Sequence, residues 1–454
     1  MKKSHFIRNL LVRLAQVAIV ATFLFYTYFY SEKFVTNKLT AFLALPISSE
    51  IAQTNFKLSS LQDKKEELIS SKVGFIEVNL SDMAVRLYQN GEIIKEYPIL
   101  VKGKENDWGE TPVGLFEVRG KEREHYSSLG DVFMPYSLRF QGNYYIHGLP
   151  YYSDGSLTGA DYSSGCINLK TADAKELFET VSVNVPVLVL EGSSSENTNG
   201  TQKINLTAPK FTAQSYLVAD LDNSQIFMAK EPQTIYPIVG INKLLTGIAA
   251  SELLRLSFDS NIIDKLYINE KMLLPPGDTA DLNLGEKFTF FDLYYPLLVE
   301  HSNDASEALA LRFNRNYLNI LKTRALSLGM GNTTVIDSYG EENGNFSTSE
   351  DLFYLIRYLF NNRLWMLNIS RGQIYKDFGK SKFTQIENKN LFSEDPKFIG
   401  GFTEENSLGL STSLFVFKFN LNGTERNVGI ILIGSPDVLK DVQSARSYLD
   451  KIYF

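Results

Sequence analysis

The chain contains a single cysteine, Cys166, in the segment YSSGCINLK, and His147 lies nineteen residues upstream in YYIHGLP. A thiol attacks a carbonyl only as thiolate, and an ordinary cysteine, with a pKa of ~8.5, is largely protonated at neutral pH. An imidazole within hydrogen-bond reach can take that proton and later give one to a leaving amine. The small residues Ser163, Ser164 and Gly165 just before the thiol allow backbone amides to approach a reacting carbonyl. Donors aimed at a developing oxyanion supply a large electrostatic stabilisation. These residues therefore suit acyl transfer through a thioester. Taken alone they suit a structural role as readily, because a free cysteine often behaves as a small buried hydrophobe and a histidine among tyrosines packs well in a strand.

The pattern around them is one of short strands. From Gly74 onward, FIEVNL puts Ile76, Val78 and Leu80 on one face, and AVRLYQ and EIIKEYPILV flank Asn90-Gly91, a strong two-residue hairpin signal. VGLFEVRG, QGNYYIHG and VNVPVLVLEG continue the series, with one helix predicted over about Thr171 to Val181. A mostly β domain over residues 74–192 is expected, followed by a polar linker over 193–207. Residues 208–454 read differently. A hairpin around Asp222-Asn223 leads into an apolar helix from Gly240 to Ser257, then into a helical middle section. An Asn422-Gly423 hairpin and a last helix close the chain. Ser435 is placed to cap that helix, with Pro436 at its first position and Asp437 at the positive end of its dipole. Strands, helices, strands, helix predict an α+β domain with helices against an antiparallel sheet.

The protein is 454 residues long, enough for several domains, and its 44% hydrophobic and 21% charged residues are ordinary for globular protein. A net charge of −7 gives no basis for nucleic-acid binding. Four histidines and one cysteine make no zinc-ligand spacing, and no phosphate-cradling glycine loop precedes a Lys-Ser or Lys-Thr pair, so neither metal nor cofactor is expected. At the N-terminus, Lys2, Lys3, Arg8 and Arg13 precede an uncharged run from Leu14 to Tyr30. Seventeen residues are near the lower limit for a transmembrane helix, and the basic flank predicts the N-terminus inside. No small-x-small cleavage site follows directly, so residues 1–33 are expected to form a cytoplasmic tail and retained single-pass membrane anchor, residues 34–73 a stalk, and everything beyond to lie outside the cell membrane. There an unpaired thiol needs a reason to stay free.

His147-Gly148, then Ser163, Gly165, Cys166 and Asn168, together resemble the signature of YkuD-type L,D-transpeptidases. Thr111-Pro112-Val113-Gly114 and Met134-Pro135-Tyr136 are similar to that family's Thr-Pro-x-Gly and Met-Pro-Tyr elements. The resemblance covers essentially all of residues 74–192. It implies Cys166 as nucleophile, His147 as base, the Gly148 carbonyl as orienter of the imidazole, and Ser163, Ser164, Gly165, Asn168, Met134 and Tyr136 around the oxyanion and substrate pocket. It also implies attack on a tetrapeptide stem of peptidoglycan, loss of D-alanine, transfer to a neighbouring amine, and acylation by carbapenems. One position departs from the family: Ser164 stands where a histidine is usual.

Residues from about 208 onward resemble D-alanyl-D-alanine carboxypeptidases of the penicillin-binding, β-lactamase-like group, through SYLVADLDNSQIF, YPIVGINKLLTGIAA, HSNDASEALA, LGMGNTTVIDSYG and FSTSEDLFYLIRYLF in family order. Those enzymes place a nucleophilic serine one helical turn before a lysine, so that the amine can activate the hydroxyl. Here Gly240 precedes Lys243, His301 and Asn303 stand in place of the Ser-x-Asn pair, and Gly400-Gly401 in place of Thr-Gly. Thr246, one turn past Lys243, is a poor substitute nucleophile. The domain is expected to be noncatalytic, binding either stem peptides or cell-wall synthesis proteins. Two other readings stay open for the whole chain: an L,D-carboxypeptidase with water as acceptor, and a noncatalytic wall-binding scaffold.

Overall fold

A computed structural model of the protein describes Leu58 and residues 61–452, less 106–108, 129, 160, 192–208, 254–264, 278–281, 314–315, 341–342, 376–382 and 384–385. The anchor expected over residues 14–30 and the linker at 193–207 lie outside the described residues. Among the described residues no helix is long and apolar enough to cross a membrane.

The first domain is built from two sheets. Strands β1 (Phe75–Asn79), β2 (Ala84–Gln89) and β3 (Glu92–Pro98) form a meander, and Asn90 and Gly91 both take positive φ in the turn that joins β2 to β3. The five-stranded sheet has the order β3-β2-β1-β9-β4, where β4 is Gly114–Glu117 and β9 is Pro186–Leu190, parallel to β1. Strand β1 is buried on both faces, which its alternation alone does not reveal. Ile76 and Val78 face the core, while Phe75 and Glu77 lie under helix α1 (Leu61–Ser70). That helix lays Leu61, Leu68 and Ile69 against Phe75, Tyr88, Leu188 and Leu190, and its Lys65 pairs with the buried Glu77 at 3.0 Å. A four-stranded sheet runs β5 (Gly120–Ser127), β6 (Val132–Gln141), β7 (Tyr144–His147) and β8 (Ile167–Asn168), the last two parallel. Helix α2 (Thr171–Thr180) buries Ala174, Leu177 and Phe178 in the core.

The second domain centres on an antiparallel sheet with the order β11-β10-β14-β13-β12. These strands are β10 (Ser215–Asp220), β11 (Ile226–Lys230), β12 (Phe398–Glu405), β13 (Ser411–Leu421) and β14 (Thr424–Ser435). The helical layer includes α3 (Asn242–Leu253), α4 (Phe290–Leu298), α5 (Asn303–Leu311), α6 (Tyr317–Ser327), α7 (Ser349–Asn362) and α8 (Leu364–Ser370); α9 (Val438–Ile452) packs Val438, Val442, Ala445 and Leu449 on the opposite face of the sheet. Eleven of the twelve α3 residues are buried, including the polar Asn242, Lys243, Thr246, Ser251 and Glu252. The last helix starts later than its sequence suggests. Ser435 is still paired with Ser411 in the sheet and donates to Asp441, so Asp437 takes the cap, accepting from the Lys440 amide at 3.0 Å.

Candidate active site

Cys166 lies at the entry to β8 and is 6% exposed. The preceding loop is fixed by its own small side chains. The Ser163 hydroxyl donates to the Cys166 carbonyl at 2.6 Å and accepts from the Gly165 amide at 3.0 Å. Gly165 adopts φ of +99°, and a Cβ there would lie 2.4 Å from the Tyr144 ring, so the position admits only glycine. From outside, the loop is clamped by residues 101–103 and 111. The Ser163 amide donates to the Lys102 carbonyl, the Asn168 amide to the Val101 carbonyl, and the buried Thr111 hydroxyl donates to the Gly165 carbonyl at 3.1 Å while accepting from the Gly103 amide at 3.0 Å. Gly103 and Gly109 press on the same loop, with a Cβ on Gly103 only 2.8 Å from Gly165 Cα. Ser164, by contrast, is exposed.

His147 ends β7. The parallel register pairs Ile146 with Ile167 and His147 with Asn168, so alternation puts His147 and Cys166 on the same face of neighbouring strands, opposite the core-facing isoleucines. The imidazole is 2% exposed, and its Nδ1 lies 2.6 Å from the Gly148 carbonyl oxygen. A carbonyl can only accept, so this contact holds the proton on Nδ1 and leaves Nε2 of the neutral ring with its lone pair. The Gly148 amide is itself tied to the Pro135 carbonyl at 2.8 Å, and the Leu169 amide to the His147 carbonyl at 2.9 Å. Met134 packs with Val132, Tyr145 and Cys166 in a small cluster, and the Cys166 sulfur lies 3.7 Å from the Asn143 carbonyl. Tyr136 takes φ of +54° and turns its ring edge-on to Phe178 of α2. Asn168 Oδ1 is buried and accepts no hydrogen bond among the described residues. Thr111, Gly103, Gly109 and Tyr144 hold the thiol loop, yet of these only Thr111 belongs to a motif visible in the sequence.

The second cleft is arranged differently. Gly240 has φ of +71°, and a Cβ there would sit 2.0 Å from Glu404 Cγ. The Glu404 carboxylate occupies that volume and accepts from Lys243 Nζ at 2.6 Å, both side chains being largely buried. His301, at φ of +59°, lies 3.8 Å from the same carboxylate and stacks on Phe402 with ring centroids 4.0 Å apart. Burial, and then the nearby Lys243 charge, depress the His301 pKa from the ordinary 6.5 to about 3. Asn303 turns away to the Pro276 carbonyl, and the Gly401 amide donates to the Ser370 hydroxyl. The Thr246 hydroxyl is fully buried and donates to the Ser338 carbonyl. Glu404 was not singled out by any motif; its position two residues past Phe402, on the same face of β12, is the one signal that could have found it.

Two family models match the chain in tandem, the YkuD L,D-transpeptidase catalytic domain over residues 74–189 and D-alanyl-D-alanine carboxypeptidase over residues 202–406. The chain joins a YkuD domain to a carboxypeptidase-type, penicillin-binding-like domain. Its relatives include a D-alanyl-D-alanine endopeptidase of Escherichia coli K12, 26% identical over 151 residues, or 33% of this chain and 47% of that protein. A D-alanyl-D-alanine endopeptidase of Haemophilus influenzae is 23% identical over 54% of this chain and 83% of its own length. The chain spans about half the length of the first two curated relatives it matches, 47% and 46%. Among solved structures, penicillin binding protein 6B from Escherichia coli superposes with a TM-score of 0.46 at 18% identity, over 55% of this chain and 79% of that one.

The YkuD domain thus presents a buried thiol, a histidine of fixed tautomer on the neighbouring strand and a loop of small residues. In the carboxypeptidase-type domain the Glu404 side chain fills the space beside Gly240.

Proposed function

We propose that the protein is a peptidoglycan L,D-transpeptidase. The Cys166 thiolate, its proton passed to His147 Nε2, attacks the carbonyl of the third residue of a tetrapeptide stem. The C–N bond to D-alanine breaks, the leaving amine takes the proton from the imidazolium, and a thioester remains. An amine of a neighbouring stem then attacks the thioester, forming a new amide and returning the thiol. The Gly165 amide is engaged by the Ser163 hydroxyl, so the amides of Ser164 and Cys166 are the ones suited to the oxyanion, and Met134 to the apolar side of the pocket. The observation that carries this reading is the 2.6 Å contact from His147 Nδ1 to the Gly148 carbonyl, because it leaves the ring in the tautomer a general base requires, on the strand beside Cys166, in a domain that matches the L,D-transpeptidase model.

The carboxypeptidase-type domain is noncatalytic in this reading and acts as a scaffold toward cell-wall synthesis proteins. Support comes from Glu404, whose carboxylate already engages Lys243 in the space where a stem peptide would otherwise meet the cleft. Residues 14–30 anchor the chain, with both domains outside the membrane.

Treatment of the full chain with meropenem, followed by intact-mass measurement, tests the nucleophile. One covalent adduct is expected on the wild type and none on Cys166→Ala. An adduct that persists in Cys166→Ala overturns the assignment. Fluorescent penicillin is expected to leave the second domain unlabelled.

A further inference from the structure

Residues Thr54–Phe454 form one compact unit, and the surface shared by the two domains carries buried charged side chains. Glu252, at the C-terminal end of α3, is 0% exposed. It accepts from Arg324 Nη2 at 2.7 Å, from Arg324 Nε at 3.1 Å and from the Tyr358 hydroxyl at 2.6 Å. Burial holds Tyr358 far above the usual phenol range, so it remains a donor. Arg363 Nη2 lies 3.6 Å from the same carboxylate. All of these residues belong to the second domain, yet each line of contact continues into the first.

Three such lines end on the thiol loop. Gln141 of β6 donates to Glu252 at 3.3 Å, and Gly142, whose Cβ would lie 2.1 Å from Leu253, leads to Asn143, whose carbonyl is 3.7 Å from the Cys166 sulfur. Arg363 Nη1 lies 3.7 Å from the buried Glu110, the residue before Thr111, whose hydroxyl holds the Gly165 carbonyl. Asn362 donates to Glu191 at 2.7 Å; Glu191 lies 3.8 Å from Lys102 Nζ, and the Lys102 carbonyl receives the Ser163 amide. Tyr144 completes the set. Its ring fits under Gly165, and its hydroxyl is near enough to Arg363 to bear on that side chain electrostatically. Arg324 adds a bond to the Val113 carbonyl at 3.3 Å, in the same segment as Thr111.

A buried Arg–Glu network offsets its desolvation only when its geometry is well met, and loss of one partner leaves an uncompensated charge. Here the network is made within the second domain, and its contacts to Gln141, Glu110 and the Val113 carbonyl form only when the two domains are docked. The groups it touches in the first domain are those that set where Ser163, Gly165 and Cys166 lie. Preorganised donors must be held to within about 0.5 Å to stabilise an oxyanion. We infer that the carboxypeptidase-type domain positions the thiol loop of the YkuD domain, with Arg363, Glu252 and Asn362 acting as positioning residues through Glu110, Gln141 and Glu191. The noncatalytic domain is then a structural part of the active site, and undocking it weakens acyl transfer without touching the thiol. The inference rests on Cys166 being the nucleophile.

The test uses the full chain with Arg363→Lys, which keeps the charge and loses the fork, and Asn362→Ala, a milder change that keeps the test usable should the first variant fail to fold. Two rates are read at Cys166, meropenem adduct formation and iodoacetamide alkylation across pH, with circular dichroism confirming the fold. Alkylation needs only an accessible thiolate, whereas acylation also needs the placed amides. In the folded variants acylation should fall about tenfold or more, since misplacement on the order of 1 Å costs about that or greater. Alkylation should stay within about twofold at every pH. A folded variant acylated at the wild-type rate overturns the inference while leaving Cys166 as nucleophile intact. A wild-type chain that forms no adduct overturns the transpeptidase reading, and the inference with it.

Discussion

The chain holds two clefts that each place a left-handed glycine beside a polar side chain able to do chemistry, and they have opposite fates. At Gly165 the positive φ carries the backbone tightly over Tyr144 and leaves the neighbouring Cys166 facing a small apolar cluster and an exposed Ser164. At Gly240 the missing side chain has been replaced in space by Glu404, which neutralises Lys243. On the reading proposed above, the first site stays usable, and the second is closed by the protein's own carboxylate. Retention of a basic residue such as Lys243 is therefore no sign of retained catalysis, because an ion pair explains it equally well.

The largest effect expected from breaking this contrast is at Gly165. Gly165→Ala forces a Cβ into the Tyr144 ring in a backbone conformation that costs an L-residue about 1–2 kcal/mol. Meropenem adduct formation should fall about a hundredfold, as for other displacements on the order of 1 Å at a reacting centre. Wild-type acylation in that variant would show that the loop needs no special conformation. In the second cleft, Glu404→Ala leaves Lys243 buried without its carboxylate and should cost about 3 kcal/mol, read by urea denaturation. Gly240→Ser should be poorly tolerated alone and better tolerated with Glu404→Ala, a coupling of about 1–3 kcal/mol because the two side chains compete for one volume. Strict additivity in that cycle would mean that Glu404 does not fill the cleft.

Much of this architecture was legible because it follows from local rules. The Asn90-Gly91 and Asn422-Gly423 turns take positive φ at both residues, as two-residue hairpins require, and the apolar run after Gly240 is a buried helix. The pairing of His147 with the Cys166 loop, and the Gly148 carbonyl as partner of the imidazole, were legible only through the resemblance to the YkuD-type family, since the two residues alone suit a structural role as readily. What could not be read depends on contacts between distant segments. Glu404 meets Gly240 across 164 positions, Arg324 lies inside a helix, and Arg363 is the single residue that joins α7 to α8. Nothing local marks an arginine as fully buried between domains. The end of β14 shows the same limit on a smaller scale, since sheet pairing through Ser435 overrides a sound capping signal and moves the cap to Asp437.

A smaller, pH-dependent difference separates the clefts. Burial, aided by Lys243, lowers the His301 pKa to about 3, whereas the unfolded chain has the ordinary value near 6.5. Between these values the unfolded state holds the extra proton, so stability falls as pH drops below 6.5, by up to about 1.4 kcal/mol per unit, and no further loss arises below about 3. Asp304 works in the opposite sense. Burial raises its pKa to about 6, so the native state holds its extra proton between 3.8 and 6. Denaturation of His301→Asn and wild type in parallel separates the two, because only the difference between them carries the histidine. The stability of the wild type relative to His301→Asn should fall with acid across the window; a relative stability that is flat with pH would mean His301 is protonated in the folded cleft.

The smallest effect is expected at Ser164. Its side chain is exposed, and the loop is held instead by the Ser163 hydroxyl, the Thr111 hydroxyl and the backbone fit at Gly165. In the proposed reaction Ser164 would contribute only its peptide unit to the oxyanion, which any residue supplies. Ser164→Ala should therefore shift stability by less than about 0.5 kcal/mol, as for other exposed positions. Acylation should change by less than about threefold, in contrast to the hundredfold expected one residue away. Ser164→His, which restores the residue usual in the resembling family, should be accommodated in solvent with equally little effect on folding. A large gain in acylation with histidine would instead show that the side chain itself, and not only the loop, shapes the pocket, and would place the limit on the acylation rate at that one substitution.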